Sequence, residues 1–187
     1  MSDYPHSKYS PVEVAKAGKL VAHNNVDGNQ VPDEIRAAFL IANNWRNAHA
    51  YPMRSVHASV SYYVRTKKLD AITAARLKRM AAIRRKLGRI SVKLHKLQDL
   101  GGCRIILSSI AETRLLVDVL RNKVSSIVVK ENDHISAPKV DGYRSHHLIF
   151  CFRRPKPTPF DDLRIEVQVR TRLQHAWATT VEAVGLY

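Results

Sequence analysis

Residues 164–171, Arg-Ile-Glu-Val-Gln-Val-Arg-Thr, alternate polar and apolar side chains without a break. In an extended chain alternate side chains share a face, so Arg164, Glu166, Gln168 and Arg170 line one side while Ile165, Val167 and Val169 line the other. A carboxylate, an amide and two guanidinium groups then converge, which is equipment for a metal-bound polyphosphate: arginine on phosphate oxygens, glutamate on a cation or a reacting hydroxyl. An isolated strand of this kind is equally the outer face of any half-buried antiparallel sheet. The neighbouring segments decide between the two.

Upstream, residues 142–147 read Gly-Tyr-Arg-Ser-His-His, a loop glycine running into a second strand, where His146 and His147 must point to opposite sheet faces and at most one serves a site directly. Residues 84–107 form a basic run, then an Asp-Leu-Gly-Gly turn at 99–102, then a short apolar strand with Asp99 at its mouth. Outward from these, the periodicity predicts strands at 102–108, 124–131, 145–153 and 163–170, with helices at 110–123 and 171–184. The last helix places Leu173, Trp177, Thr180, Val181 and Val184 on one stripe, with Trp177 in the core, and His175, Thr179 and Glu182 on another.

The N-terminal half reads as helical: a short helix near 11–18, a loop through Asn25 and Gly28, and a helix from Pro32 to about His49. Pro32 at its first position, with Asp33 and Glu34 in the first turn, suits the positive helix end. Ile35, Phe39, Ala42 and Trp45 share a face. Tyr51-Pro52 is read as a break, followed by helices at 53–65 and 69–86, the second supported by Ala71, Ala74, Ala75, Leu77 and Ala81. The division is one domain with an N-terminal helical part, residues 1–83, and a catalytic α/β core, residues 84–187. The chain stops at Gly185-Leu186-Tyr187 with no charged tail, which leaves room for a missing C-terminal part.

At 187 residues, with 45% hydrophobic and 25% charged side chains, one domain with a sizeable core is expected. No stretch approaches a membrane span and the polar start lacks a signal-peptide apolar region, so the expected location is cytoplasmic. Cys103 and Cys151 read as buried thiols rather than a disulfide or metal site. Lysine and arginine outnumber aspartate and glutamate 31 to 16, a net +15, and twelve of those cations fall between Arg65 and Lys96 against Asp70 alone. That excess predicts a polyanionic partner larger than a nucleotide, with RNA the natural candidate.

Taken together, Asp-Leu-Gly-Gly, Gly-Tyr-Arg-Ser-x-His and Glu-x-Gln-x-Arg-Thr resemble the synthetase domain of the RelA/SpoT family, pyrophosphokinases that make (p)ppGpp and, in a toxic branch, modify tRNA. The resemblance implies an α+β fold, a mixed twisted sheet of about four or five strands flanked by helices. It implies displacement at the β-phosphorus of ATP by a ribose 3′-hydroxyl, with Mg²⁺ as cofactor held by Asp99 and Glu166, and Glu166 as an alternative general base. Arg84, Lys86, Arg89 and Lys93 resemble the basic ATP box, although Gly88 interrupts it, and Arg104 is either a further phosphate contact or an ion-pair partner of Glu166. Tyr143 matches the tyrosine that stacks on the acceptor base, and its loop position suggests an exposed ring. His147, Gln168 and Arg170 are further acceptor contacts.

Residues 44–53 contain Trp-Arg-Asn-Ala-His-Ala-Tyr-Pro, similar to a motif of the toxic branch and of related phage-encoded members. It makes Arg46 and His49 contacts to acceptor or ATP, while Trp45 and Tyr51 read as packing residues. With the cation run it favours tRNA as acceptor, its 3′ CCA end being pyrophosphorylated, with Lys67, Lys68, Lys78 and Arg79 on the RNA backbone and an antitoxin protein or missing antitoxin domain as partner. The alternatives are alarmone synthesis from GDP or GTP, and a catalytically dead RNA-binding module.

Overall fold

The computed structural model describes residues 4–24, 31–124 and 126–183. Asn25, Gly28, Val184 and the last three residues, all invoked above, lie outside that set. Helices α1 (Pro11–His23), α2 (Asp33–Ala48) and α3 (Ala50–Thr66) are followed by strand β1 (Ala71–Leu77) and helix α4 (Met80–Arg89). A 3-10 turn at Leu94–Lys96 leads to β2 (Gly101–Leu107), α5 (Ile110–Lys123), β3 (Ile127–Asp133), β4 (His146–Cys151), β5 (Arg164–Thr171) and α6 (Arg172–Ala183). The five strands form one mixed sheet in the order β1-β2-β5-β4-β3, with β2 and β5 parallel and the other pairs antiparallel. The α+β expectation is met.

The helix ends follow local chemistry. Ser10 and Glu13 close a reciprocal capping box on α1, with Pro11 in the first turn. Pro52 does not break the chain but sits in the first turn of α3, where an amide hydrogen has no intrahelical use, so α3 begins directly after His49. At the start of α6 the Thr171 amide donates to Gln174 Oε1 at 3.0 Å and the Gln174 amide to Thr171 Oγ1 at 3.2 Å. This cap fixes the helix rotation. Gln174, Ala178 and Val181 turn inward, leaving Leu173 81% and Trp177 51% exposed, so the expected core position of Trp177 is not what forms. Its indole lies instead against Gly142, whose φ of +78° suits a residue without Cβ and where an added Cβ would come within 3.3 Å of the ring.

The segment 69–86 departs most from its sequence reading. Residues 71–77 are an edge strand, with Ala71 opposite Leu107 and Leu77 opposite Gly101, and only 80–89 are helical. Alanine's helix preference is worth a few tenths of a kcal/mol per residue, less than seven paired positions with Ala71, Thr73, Ala75 and Leu77 turned towards the core. Lys68, at φ 52°, turns the chain from α3 into the strand. A sheet strand thus comes from within the part read as helical.

Two apolar clusters hold the fold. The larger joins one sheet face, through Ile105, Leu148, Phe150, Ile165, Val167 and Val169, to α3 and α5. The smaller packs α1, α2 and α4 around Leu94, Leu97 and Leu100. Cys103 and Cys151 are free thiols, Cys103 buried in the larger cluster and pushed up to about 12 by that burial.

His49 sits at the junction of α2 and α3, 1% exposed, its Nδ1–H donating to the Trp45 carbonyl at 2.8 Å. Burial lowers its pKa from 6.5 to about 4. The unfolded chain therefore takes up a proton that the folded chain refuses, and stability contributed above pH 6.5 drains away as pH falls towards 4, by about 3 kcal/mol. His95, His134 and His175 are lowered in the same direction. The expected result is that His49→Gln flattens the pH dependence of urea unfolding between 6.5 and 4; a variant with the wild-type slope would contradict it.

Candidate active site

The sheet face opposite the larger core carries the polar rows. Parallel pairing sets Gly102 beside Glu166 and Arg104 beside Gln168; β1 adds Arg76 beside Gly102 and Ala74 beside Arg104, and β4 adds His147 beside Gln168. Gly102 and Ala74 fill little space, and a cavity of about 280 Å³ opens there. Arg76, Lys78, Asp99, Arg104, Glu166 and Gln168 line it, with Glu182 contributed from α6.

Asp99 is the charge centre of one end. Its Oδ2 accepts from Lys78 Nζ at 2.9 Å and from Lys86 Nζ at 2.8 Å, while its Oδ1 is buried without a hydrogen-bond partner. Burial pushes the carboxyl pKa up, but the two ammonium groups outweigh it and hold the group below the usual carboxylate range. Lys78 is fixed by its backbone, which donates to the Leu100 carbonyl at 2.8 Å and accepts from Arg46 Nε at 2.7 Å.

Glu166 organises the other end. Its Oε1 lies 3.0 Å from His147 Nδ1, its Oε2 accepts from Gln168 Nε2 at 2.8 Å, and His147 Nε2 lies 2.9 Å from the Tyr143 hydroxyl. One proton arrangement satisfies the chain: Tyr143 donates to Nε2, and Nδ1–H donates to the carboxylate. Burial raises the Glu166 pKa and Asp99 adds to that, yet His147 and Gln168 bring it below the usual range. Glu166 is therefore a poorly basic carboxylate. It pairs with His147 rather than with Arg104, whose Nε is buried without a partner beside the cavity.

Tyr143 is not the exposed ring expected. It is half-buried, with Lys139 Nζ 4.9 Å from its centroid and the His134 and His147 rings edge-on, and burial raises its hydroxyl pKa. His146 points away, as the alternation requires, and its Nε2 lies 2.6 Å from Glu131 Oε1. Arg170 is buried and donates to His175 Nδ1 at 2.7 Å.

The structure gathers Asp99, Lys78, Arg104, Glu166 and Gln168 in the cavity, with Lys86 held to it through Asp99 and Tyr143 and His147 through Glu166. It does not bring the rest there. Arg84 turns to α1 and α2, donating to the Val21 carbonyl at 3.3 Å and lying over the Phe39 ring. Arg89 and Lys93 are exposed outside the cavity, as are Lys67, Lys68 and Arg79. His49 is core and Arg46 straps the end of β1, so neither touches the site as expected. Sequence reasoning missed Arg76, Glu182 and His175 as site neighbours. The alternation Ile72, Ala74, Arg76 on an edge strand was the signal for Arg76.

The donor set fits a magnesium ion shared with a ligand better than one caged by protein. Asp99 offers a buried, unpartnered oxygen, and Glu166 faces the same cavity. No group of three or more histidine, cysteine or acidic side chains suited to a metal exists among the described residues. Two carboxylates completed by phosphate oxygens and water are what Mg²⁺ at a polyphosphate site requires.

Residues 75–187 match the family model described as the region found in RelA/SpoT proteins. The chain belongs to the RelA/SpoT family. Among RelA/SpoT relatives, it is 31% identical over 107 residues to the GTP pyrophosphokinase YjbM of Bacillus subtilis, covering 56% of this chain and 51% of that one. It is 34% identical over 113 residues to the GTP pyrophosphokinase YwaC of the same organism, covering 57% and 54%. It therefore spans about half the length of these two curated relatives. The crystal structure of small alarmone synthetase 2 from Bacillus subtilis superimposes with a TM-score of 0.64 at 26% identity, over 73% of this chain and 76% of that one.

These RelA/SpoT relatives are guanosine-nucleotide enzymes by name, and that overturns tRNA as the expected acceptor. The physical grounds for tRNA also dissolve. Of the toxic-branch motif, His49 is buried core rather than a contact, and Trp45 and Tyr51 pack as read, Tyr51 against Tyr4, Phe152 and Phe160. The basic run is not one surface: Lys78 and Lys86 face Asp99, Arg76 faces the cavity, and Arg84 packs on the helical layer. No helix among the described residues is long and apolar enough to cross a membrane.

Proposed function

We propose that this domain transfers the β,γ-pyrophosphoryl group of ATP to the ribose 3′-hydroxyl of GDP or GTP, forming (p)ppGpp and releasing AMP. The observation that carries the reading is the cavity itself, which two carboxylates, Asp99 and Glu166, line together with Arg76, Lys78 and Arg104, with Tyr143 tied to Glu166 through His147. The names of the relatives support the acceptor class.

In this reading Arg76, Lys78, Lys86 and Arg104 bind the triphosphate, the guanidinium groups by paired hydrogen bonds and the lysines as point charges. Mg²⁺, when bound by Asp99 and Glu166, neutralises charge on the transferred group and orients it. Tyr143, once Lys139 yields its face, stacks on the guanine, and Gln168 holds the acceptor sugar near Glu166. The acceptor 3′-oxygen forms a bond to the β-phosphorus while the bond from that phosphorus to the α,β-bridging oxygen breaks, so AMP leaves with the electron pair. The hydroxyl proton passes, late in the event, to the ionised Glu166 carboxylate, which returns it to solvent. A loose phosphoryl transition state needs little basicity, which suits a carboxylate held ionised for positioning.

Acceptor-dependent AMP release, followed by chromatography, tests this. AMP is expected only when GDP or GTP accompanies ATP, and Tyr143→Ala should raise the acceptor KM by roughly tenfold or more, as expected from the loss of one stacked base. ADP as the product, or AMP without an acceptor, would overturn the reading.

A further inference from the structure

We infer that Lys78 and Lys86 mask Asp99 against divalent cations in the nucleotide-free protein, so that the metal site is completed only when a triphosphate draws both ammonium groups away. The inference rests on reading the cavity as a triphosphate site. Both lysines converge on one oxygen, at 2.9 and 2.8 Å, in a setting where the Asp99 side chain is 16% exposed and the lysines 25% and 36%. One carboxylate charge is thus over-compensated by two fixed ammonium charges. A cation approaching the unpartnered Oδ1 meets net positive charge in a poorly solvated place.

The anchoring makes this more than a casual surface pair. Lys78 follows β1 directly and its peptide is held on both sides, by Leu100 and by Arg46. Lys86 reaches the same oxygen from the last turn of α4, an element carried by the helical layer. Two independent parts of the chain are therefore spent on neutralising a carboxylate that already has a metal role to fill. A polyphosphate offers the lysines more negative charge than Asp99 does. It leaves the aspartate a bare anion at the moment phosphate oxygens become available to complete the coordination.

The test uses Mn²⁺ as the probe, followed by electron paramagnetic resonance and water-proton relaxation on the full chain. Wild type without nucleotide should bind Mn²⁺ weakly, and with α,β-methylene-ATP should show a ternary signal that Asp99→Asn loses. Lys86→Met, which keeps Lys78 on Asp99 and so protects the fold, should tighten nucleotide-free Mn²⁺ binding several-fold. Lys78→Met combined with Lys86→Met should tighten it tenfold or more, and adding Asp99→Asn should abolish the gain. Unchanged affinity in the folded single variant, or wild-type binding that is equally tight with and without the analogue, overturns the masking. If the variants gain Mn²⁺ affinity but the analogue does not bind the wild type, the masking stands and the triphosphate reading fails.

Discussion

Glu166→Ala is expected to lower kcat/KM for pyrophosphate transfer by roughly 10³-fold or more, the scale seen when a preorganised electrostatic group is removed from a transition state. The side chain contributes little to the core, since Ile165 and Val167 on either side carry the packing. Its removal takes away a cavity carboxylate and leaves His147 Nδ1–H and Gln168 Nε2–H without their acceptor, so Tyr143 loses its tether as well. Circular dichroism and a melting curve close to wild type should accompany the loss. Near-wild-type turnover by a folded Glu166→Ala protein would remove Glu166 from the chemistry.

Asp99→Asn should cost about 10²-fold or more in kcat, with a different signature. The shape is preserved, but Lys78 and Lys86 now face a neutral amide and repel one another. The expected kinetic mark is an apparent Mg²⁺ requirement raised about tenfold or more, with partial recovery at high Mg²⁺ or in Mn²⁺. Identical Mg²⁺ titrations for variant and wild type would show that Asp99 serves only to neutralise the two lysines.

Where the sequence carries a strong period, the fold is legible. The strict alternation of residues 164–171, the apolar strand after Asp99 and the helix at 110–123 all appear within a residue or two of where periodicity puts them. The place of Glu166 on the polar face is legible for the same reason, because strand geometry fixes which face a side chain takes; Asp99 precedes β2, and its place is read from the Asp-Leu-Gly-Gly turn and the family resemblance. Segments decided by tertiary pairing are less legible. Alanines in 71–77 prefer a helix locally and become a strand because β2 offers them partners, and with that change Arg76 and Lys78 move from a presumed RNA surface into the cavity.

Motif similarity misleads in a different way. The Trp-Arg-x-x-His-x-Tyr-Pro stretch looks functional, yet its His49 is buried and neutral, and Tyr51, read as a packing residue, does pack against Phe152 and Phe160. Spacing cannot separate a ligand-facing ring from one that joins two helices to a sheet. Trp177 shows the converse: its stripe suggests core, but the Thr171–Gln174 cap rotates α6 so that the indole covers the Gly142 turn instead.

The central claim, transfer to a guanosine nucleotide, is tested most directly with γ-labelled ATP. Purified protein is incubated with Mg²⁺ and, separately, GDP, GTP or deacylated tRNA, and the labelled species are resolved. The account predicts label on the guanosine nucleotide, AMP released in matching amount, and none on RNA. Label on tRNA with unlabelled GDP and GTP, or label confined to ATP and inorganic phosphate, would contradict it.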